Sequence, residues 1–315
     1  MISLYYPILP ESSGASAHRR GLLQGFHECG MPCIVRNQFS RWDSLCFVLD
    51  ALRGRTLYIR MNGNSQNVQL VLGLLHRLGK HYIIEINAPH QEDQSEVAFY
   101  IRTIRMAKLV VCVSAALKQY LTQYNGNVLV VSNGGVMTSV KNCDEAVSLS
   151  YFLFIYNAHW HWQSAENVER VARVLEQHNL NLKVVDVAGS LKTKSIHPNI
   201  EIVEALSHKE YLSELQEAVG FYLEYYPVQD AELGFYSDSL KFRDYWNTNK
   251  PILVVGPRMK WTPNPQTPEY GIFTIEEFAM LEEHRFEQLF GRQPYEWKHA
   301  CSRILGLKKF GRAAS

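Results

Sequence analysis

Two successive sets of short apolar runs, each run closed by a polar or small residue and followed by a stretch of helical spacing, restrict this chain more than any other feature. The first set comprises Ile2 to Tyr6, Cys33 to Arg36, Thr56 to Arg60 (TLYIR), HYIIEIN, Lys108 to Ser114 (KLVVCVS) and Asn127 to Ser132 (NVLVVS). Strands buried on both faces read as continuous apolar runs, and their alternation with helices of about a dozen residues predicts a doubly wound parallel sheet. Polar or small residues follow the runs: Arg60, Asn87, Ser114 and Asn133. Between the runs, Leu22, Leu23 and Phe26 recur at helical spacing ahead of Gly30, Trp42 to Arg53 is helical, a helix through His76 is closed by Gly79, and another starts at Ser114.

The pattern stops at SNGGV (Ser132 to Val136), gives way to the aperiodic polar stretch MTSVKNCDEAVSLS, and then restarts. Strands are predicted at YFLFIYNAH, LKVVDVAG, IEIVEAL, VGFYLEYY, PILVV and around Gly271 to Thr274. Helices are predicted at HWQSAENVERVARVLEQH, where Val168, Val171, Ala172 and Leu175 make one face, at HKEYLSELQEA, around Lys241 and Asp244, from Ile275, and from Pro294 through Trp297. The expected fold class is therefore α/β, with two Rossmann-like doubly wound domains. They span 1–140 and 141–293, and 294–315 forms a terminal helix and basic tail that packs back on the first domain. A chain of 315 residues fits two domains of about 150 each.

Composition narrows the function classes. A net charge of +1 offers no global electrostatic case for nucleic-acid binding. No apolar run approaches the ~20 residues of a membrane span, and MISLYYPILPESSG lacks the features of a signal peptide, so a cytoplasmic protein is expected. Cys29, Cys33, Cys46, Cys112, Cys143 and Cys301 form no CxxC pair and read as reduced structural thiols; Cys29 and Cys33 with His27 lack the second half of a zinc site. His159 and His161 likewise have no partner carboxylate at ligand spacing, so no metal site is expected.

The segment from Tyr225 to Val255, YYPVQDAELGFYSDSLKFRDYWNTNKPILVV, carries a polar loop into a helix at the carboxyl edge of the second sheet. Ligands of open α/β sheets bind beyond the carboxyl ends of the strands, which makes this a nucleotide crevice by position. Lys241 and Asp244 share one helical face, and Arg258 lies just past PILVVG, within reach of a phosphate or a loop carbonyl.

Several segments, in this order, resemble a family. SGASAHRRGLLQGFHECG resembles the first Gly-rich loop and helix of the GT-B glycosyltransferases, EINAP their E-[VI]-N-x-P strand end, CVSAALKQYL their V-S-x-x-L helix start, VVSNGGV their linker entry, and DSLKFRDYWNTNKPILV their S-P-x-K-x-x-E-Y-x-x-x-x-K-P-V segment. More narrowly, the chain is similar to the family-four type of retaining, nucleotide-sugar-dependent enzymes. The resemblance implies two domains facing a central cleft and transfer of a sugar from a UDP- or GDP-sugar to a glycan, lipid-linked or small-molecule acceptor. No permanently bound cofactor and no nucleic-acid partner are implied.

By that likeness Lys241 meets the diphosphate and Asp244 the ribose. Ser13, Gly14 and His18 sit in a loop approaching the diphosphate from the first domain, and Tyr236, Ser237 and Ser239 lie beside the donor. Tyr236 replaces the family's sugar-facing acid, for which Asp230, Glu232 and Asp238 are nearby substitutes. Asn157 stands where a glycine is usual, and HWHW (His159 to Trp162) replaces the phosphate-contacting loop. Glu85 is assigned to acceptor binding or base work; if the reaction inverts, Glu85, Asp93 and His18 are the candidate bases. The basic tail, with Lys308, Lys309 and Arg312, offers a peripheral contact with anionic lipid at the inner face of the membrane. Two other readings stay open: a sugar-nucleotide epimerase, and a non-catalytic partner or sugar-nucleotide-binding subunit that keeps this fold.

Overall fold

The structure is a computed structural model that describes residues 1–8, 14–61, 66–87, 94–131, 134–135, 150–156, 163–191, 197–224, 240–255, 271–281, 290–292 and 294–306. It falls into two units, one built from Met1–Gly134 and the segment from Glu296, the other from Gly135–Gly234 and Leu240–Tyr295. Each unit holds a six-stranded sheet in which every pairing is parallel. This is the doubly wound α/β architecture that the alternation of apolar runs and helices predicts.

The first sheet contains β1 (Ile2–Tyr6), β2 (Cys33–Asn37), β3 (Thr56–Arg60), β4 (Ile83–Ile86), β5 (Leu109–Cys112) and β6 (Val128–Val130), in the order β2-β1-β3-β4-β5-β6. Its connecting helices are α1 (Gly14–Glu28), α2 (Arg41–Leu52), α3 (Gln66–Arg77), α4 (Gln94–Met106) and α5 (Ala115–Thr122). Parallel crossovers are right-handed, so the step from β1 to β2 puts α1 on one face, and the steps in the other direction put α2 to α5 on the opposite face. The core agrees: Phe47, Val71, Leu72, Leu75, Ile104, Leu117 and Leu121 pack together with Ile59, Ile84 and Val110. Strand order therefore reverses between β1 and β3, and this switch point opens a crevice at the carboxyl edge.

The second sheet contains β7 (Tyr151–Tyr156), β8 (Asn181–Asp186), β9 (Ile200–Val203), β10 (Gly220–Glu224), β11 (Ile252–Val255) and β12 (Ile272–Phe273), in the order β12-β11-β10-β7-β8-β9. The helices are α6 (Ala165–Glu176), α7 (His208–Glu217), α8 (Leu240–Asn247) and α9 (Ile275–Ala279). Here the switch point lies between β7 and β10. The last described helix, α10 (Trp297–Ile304), belongs to the first unit and packs along α1.

Local chemistry explains where these elements begin and stop. Ser114, Ser164 and Ser207 are extended residues whose hydroxyls accept from the third backbone N–H of α5, α6 and α7, which relieves one orphan donor at each helix start. Gly30 and Gly79 follow α1 and α3 with φ of +74° and +60°, a region that a residue without Cβ enters freely. Lys250, almost fully buried, turns its ammonium onto the carbonyls of Leu215, Gln216 and Ala218 at the carboxyl end of α7. A cation there satisfies carbonyls that the helix leaves unpaired and opposes its negative end. Among the described cysteines, Cys112 and Cys301 are buried, Cys29, Cys33 and Cys46 are half-buried, and all five are free thiols.

Candidate functional site

The carboxyl edge of the first sheet carries a buried polar cluster at its switch point. Arg60 and Glu85 are register partners on β3 and β4, and pairing of Tyr5 with Ile59 sets Tyr6 beside Arg60. Glu85 is only 2% exposed. Its Oε2 accepts from the Tyr58 hydroxyl at 2.8 Å, and its Oε1 lies 3.2 Å from His18 Nε2 and 3.5 Å from the Arg60 guanidinium. His18 Nδ1 is hydrogen-bonded to the Tyr6 hydroxyl at 2.6 Å, and Arg60 donates to the same hydroxyl. Burial alone would raise the Glu85 pKa; the charges of His18 and Arg60 and the Tyr58 hydrogen bond outweigh it and hold the carboxyl below its ordinary value. The remaining walls are apolar and include Leu22, Val111, Val131 and Trp297.

This differs in one respect from the sequence expectation. His18 lies inside α1, which begins at Gly14, and not in a loop. Both its ring nitrogens are engaged and it is 3% exposed. Glu85 and His18, expected separately, are brought together as one pair. Held ionised and enclosed, Glu85 is suited to fixing the orientation of His18 and Arg60.

At the carboxyl edge of the second sheet, Lys241 in the first turn of α8 reaches across to β7 and donates to the Ile155 carbonyl at 3.0 Å. Gln163, just before α6, directs its side-chain amide to the same carbonyl at 3.4 Å. Desolvation pushes the Lys241 pKa down to about 7, since burial penalises the ammonium. Asp244, one turn further along α8, is half-buried and accepts from the Tyr211 hydroxyl of α7 at 2.9 Å. Lys241 and Asp244 thus lie one turn apart on α8, with Lys241 directed to the end of β7 and Asp244 to α7.

Glu224, which the sequence reading did not single out, closes β10 at the switch point. Pairing of Phe221 with Leu153 places it level with Tyr156 at the end of β7. It is 4% exposed; Oε1 accepts from the Ser164 N–H at 3.3 Å and from the Asn167 side-chain amide at 2.5 Å, and Oε2 from the Tyr222 hydroxyl at 3.1 Å. The carboxyl thereby sits against the N-terminus of α6, the place where an open α/β sheet offers N–H groups to an anion. Burial raises its pKa to about 7, against the lowering effect of the Asn167, Tyr222 and Ser164 hydrogen bonds. Burial thus displaces Lys241 downward and Glu224 upward, both toward 7, at one sheet edge, and such opposed shifts cluster at functional sites.

The sign of the Glu224 effect is testable. Between pH 4.5, the ordinary value, and about 7, the unfolded chain has released a proton that the folded chain keeps, so stability falls as pH rises through this window. Glu224→Gln is expected to remove that component, improving the variant's stability relative to wild type by about 3 kcal/mol between pH 5 and pH 8. Parallel urea-unfolding slopes against pH for the two proteins would contradict it.

Ser13, Asn157, Tyr236, Ser237, Ser239 and Arg258 lie outside the described residues, as do Asp93, Asp230, Glu232, Asp238, the HWHW segment, residues 136–149 and the basic tail. Among the described residues, no group of three or more His, Cys, Asp and Glu side chains is placed to hold a metal ion.

No family model matches the sequence, and no curated protein sequence matches it. Solved structures do. The chain is similar to Anabaena Alr3699/HepE in complex with UDP, with a TM-score of 0.64 and 9% identity over 97% of this chain and 99% of that one. It is similar to an alpha-glucosyltransferase in complex with UDP and a mismatched DNA, with a TM-score of 0.61 and 11% identity over 96% and 94%. A protein of Listeria monocytogenes assigned as a UDP-N-acetylglucosamine 2-epimerase follows the same chain path, with a TM-score of 0.56 and 11% identity over 96% and 94%. The fold is that of the two-domain GT-B class, matched over nearly the full length of each chain. Identities of 9–11% establish the fold alone, since one fold hosts many chemistries.

Proposed function

We propose that the protein transfers a glycosyl group from a nucleotide-activated sugar to an acceptor. The observation that carries this reading is Lys241, a cation set at the carboxyl end of β7 beside the switch point of the second sheet, where sheets of this order bind nucleotides. The full-length likeness to two UDP complexes supports it. In this reading Lys241 meets the diphosphate and stabilises the charge that grows on it as the glycosidic bond breaks. Asp244, its carboxylate steadied by Tyr211, accepts from the ribose hydroxyls. Transfer with retention is the finer form of the proposal. The C1–O bond to phosphate breaks with its electron pair going to phosphate, the acceptor oxygen bonds C1 on the same face, and its proton passes to the departing phosphate oxygen. Glu85 and His18 act by position, since the contacts that order them also occupy the atoms a base would use.

Incubation with a panel of UDP- and GDP-sugars and candidate acceptors, followed by measurement of free nucleotide, tests the reading. Acceptor-dependent nucleotide release is expected with at least one donor. The likeness to the Listeria protein makes epimerisation the second reading; a donor sugar changed at one stereocentre with no acceptor consumed would replace transfer by epimerisation. Nucleotide binding with neither outcome would leave a binding subunit and overturn the enzymatic proposal.

A further inference from the structure

The outer surface of α2 and α3 carries an apolar face that the proposed reaction does not use. Trp42, 71% exposed, Leu45, Leu49 and Leu52 recur every three or four residues along α2, and Phe39 precedes them. Leu70, 67% exposed, and Leu74 continue the pattern on α3, with Leu78 immediately beyond it. These are not displaced core residues, because the inward faces are complete: Phe47, Val48 and Ala51 of α2 and Val68, Val71, Leu72 and Leu75 of α3 fill the core. Each helix is thus apolar on two sides, whereas a helix covering a sheet needs one stripe. The two helices pack against each other on one side of the sheet, so the outward stripes lie side by side. An exposed apolar surface of this extent marks an interaction site.

The charge around the face identifies what it meets. Arg41 and Arg77 are exposed, Lys80 is partly exposed, and Arg53 at the end of α2 is exposed 3.8 Å from Asp50. Asp43 and Asp50, the two carboxylates of α2, are both in ion pairs with Arg36, and Asp50 is also bound by Arg55. The sequence of α3, QNVQLVLGLLHR, contains no acidic residue. Apolar side chains with a basic rim complement a surface that is apolar below an anionic layer. A two-fold pairing of copies would set the same basic rim against itself with no opposing charge.

We propose that the α2–α3 face docks the protein on an anionic lipid bilayer, with Trp42 and the leucines entering the interface and the arginines and Lys80 meeting lipid phosphates. Among the described residues no helix is long and apolar enough to cross a membrane, so the contact is interfacial. It goes beyond the proposed reaction and is read without turnover.

Co-sedimentation of the full chain with phosphatidylcholine vesicles, with and without phosphatidylglycerol, tests it. Wild type is expected to partition onto the phosphatidylglycerol vesicles and to be released by salt. Leu45→Ser combined with Leu74→Ser is expected to reduce that partition about tenfold or more, with the urea midpoint held, because both side chains are exposed. Arg41→Gln with Arg77→Gln is expected to weaken binding in proportion to the phosphatidylglycerol content, and it keeps the test decisive should the serine variant misfold. Wild type left in the supernatant at low salt would overturn the proposal. So would a dimer in light scattering that the serine variant dissolves while vesicle binding is absent.

Discussion

Replacing Lys241 with alanine is expected to lower nucleotide-sugar turnover by about a hundredfold, a loss of roughly 3 kcal/mol in transition-state stabilisation, with the protein still folded. The fold is expected to survive because the Ile155 carbonyl that Lys241 contacts also receives the Gln163 amide. In the free protein desolvation holds the Lys241 pKa near 7; a bound diphosphate favours the ammonium and raises it. Binding therefore takes up a proton above pH 7, and donor affinity should weaken by about tenfold per pH unit from there until the liganded pKa is passed. Lys241→Arg should flatten this dependence, because a guanidinium stays charged throughout, and Lys241→Ala should abolish it together with the rate. Isothermal titration with UDP at pH 6.5 and 8.5 distinguishes the three proteins. Equal turnover in wild type and the alanine variant would remove Lys241 from the site.

The strands were legible in the sequence because parallel strands buried on both faces leave almost unbroken apolar runs; TLYIR is β3 residue for residue. Ser114 was equally legible as a helix start, since its hydroxyl has a local partner three residues on. Strand order was not, as apolar pattern is the same whichever neighbour a strand chooses. The loop position of His18 follows from the family likeness alone; in the structure α1 already begins at Gly14, and Ser16 and His18 are buried on it. Glu224 went unnoticed in VGFYLEYY because an acid at a strand end is usually solvated. What makes it different is Asn167, which is 57 residues away in the chain. The outward leucines of α2 carried no signal either: WDSLCFVLDAL is apolar on most sides, and periodicity cannot say which of two apolar faces meets the core.

Trp297→Ala is expected to destabilise the first unit by about 3–5 kcal/mol, the range for removing a buried tryptophan from a site that cannot collapse. The site cannot collapse because it is shaped by glycines. A Cβ on Gly21 would lie 2.0 Å from the indole, one on Gly25 2.5 Å from the Trp297 carbonyl oxygen, and one on Gly134 2.5 Å from the Trp297 Cα. Glycines at two positions within α1 each cost the helix about 1 kcal/mol, a cost that close approach of α10 offsets. The indole also meets the His18 ring edge-on at 4.8 Å, so truncation loosens the residue that holds Glu85 and Tyr6. Gly25→Val attacks the same contact from the other side and should cost at least as much, because the clash is with backbone. Hydrogen exchange locates the effect: protection of α1 should fall in both variants and that of α6, in the other unit, should hold. Unchanged protection of α1 in Trp297→Ala would show that α10 is dispensable to the first unit. Loss of protection in α1 and α6 together would show that the units unfold as one, and that the terminal helix secures the Lys241 edge as well as the Glu85 cluster.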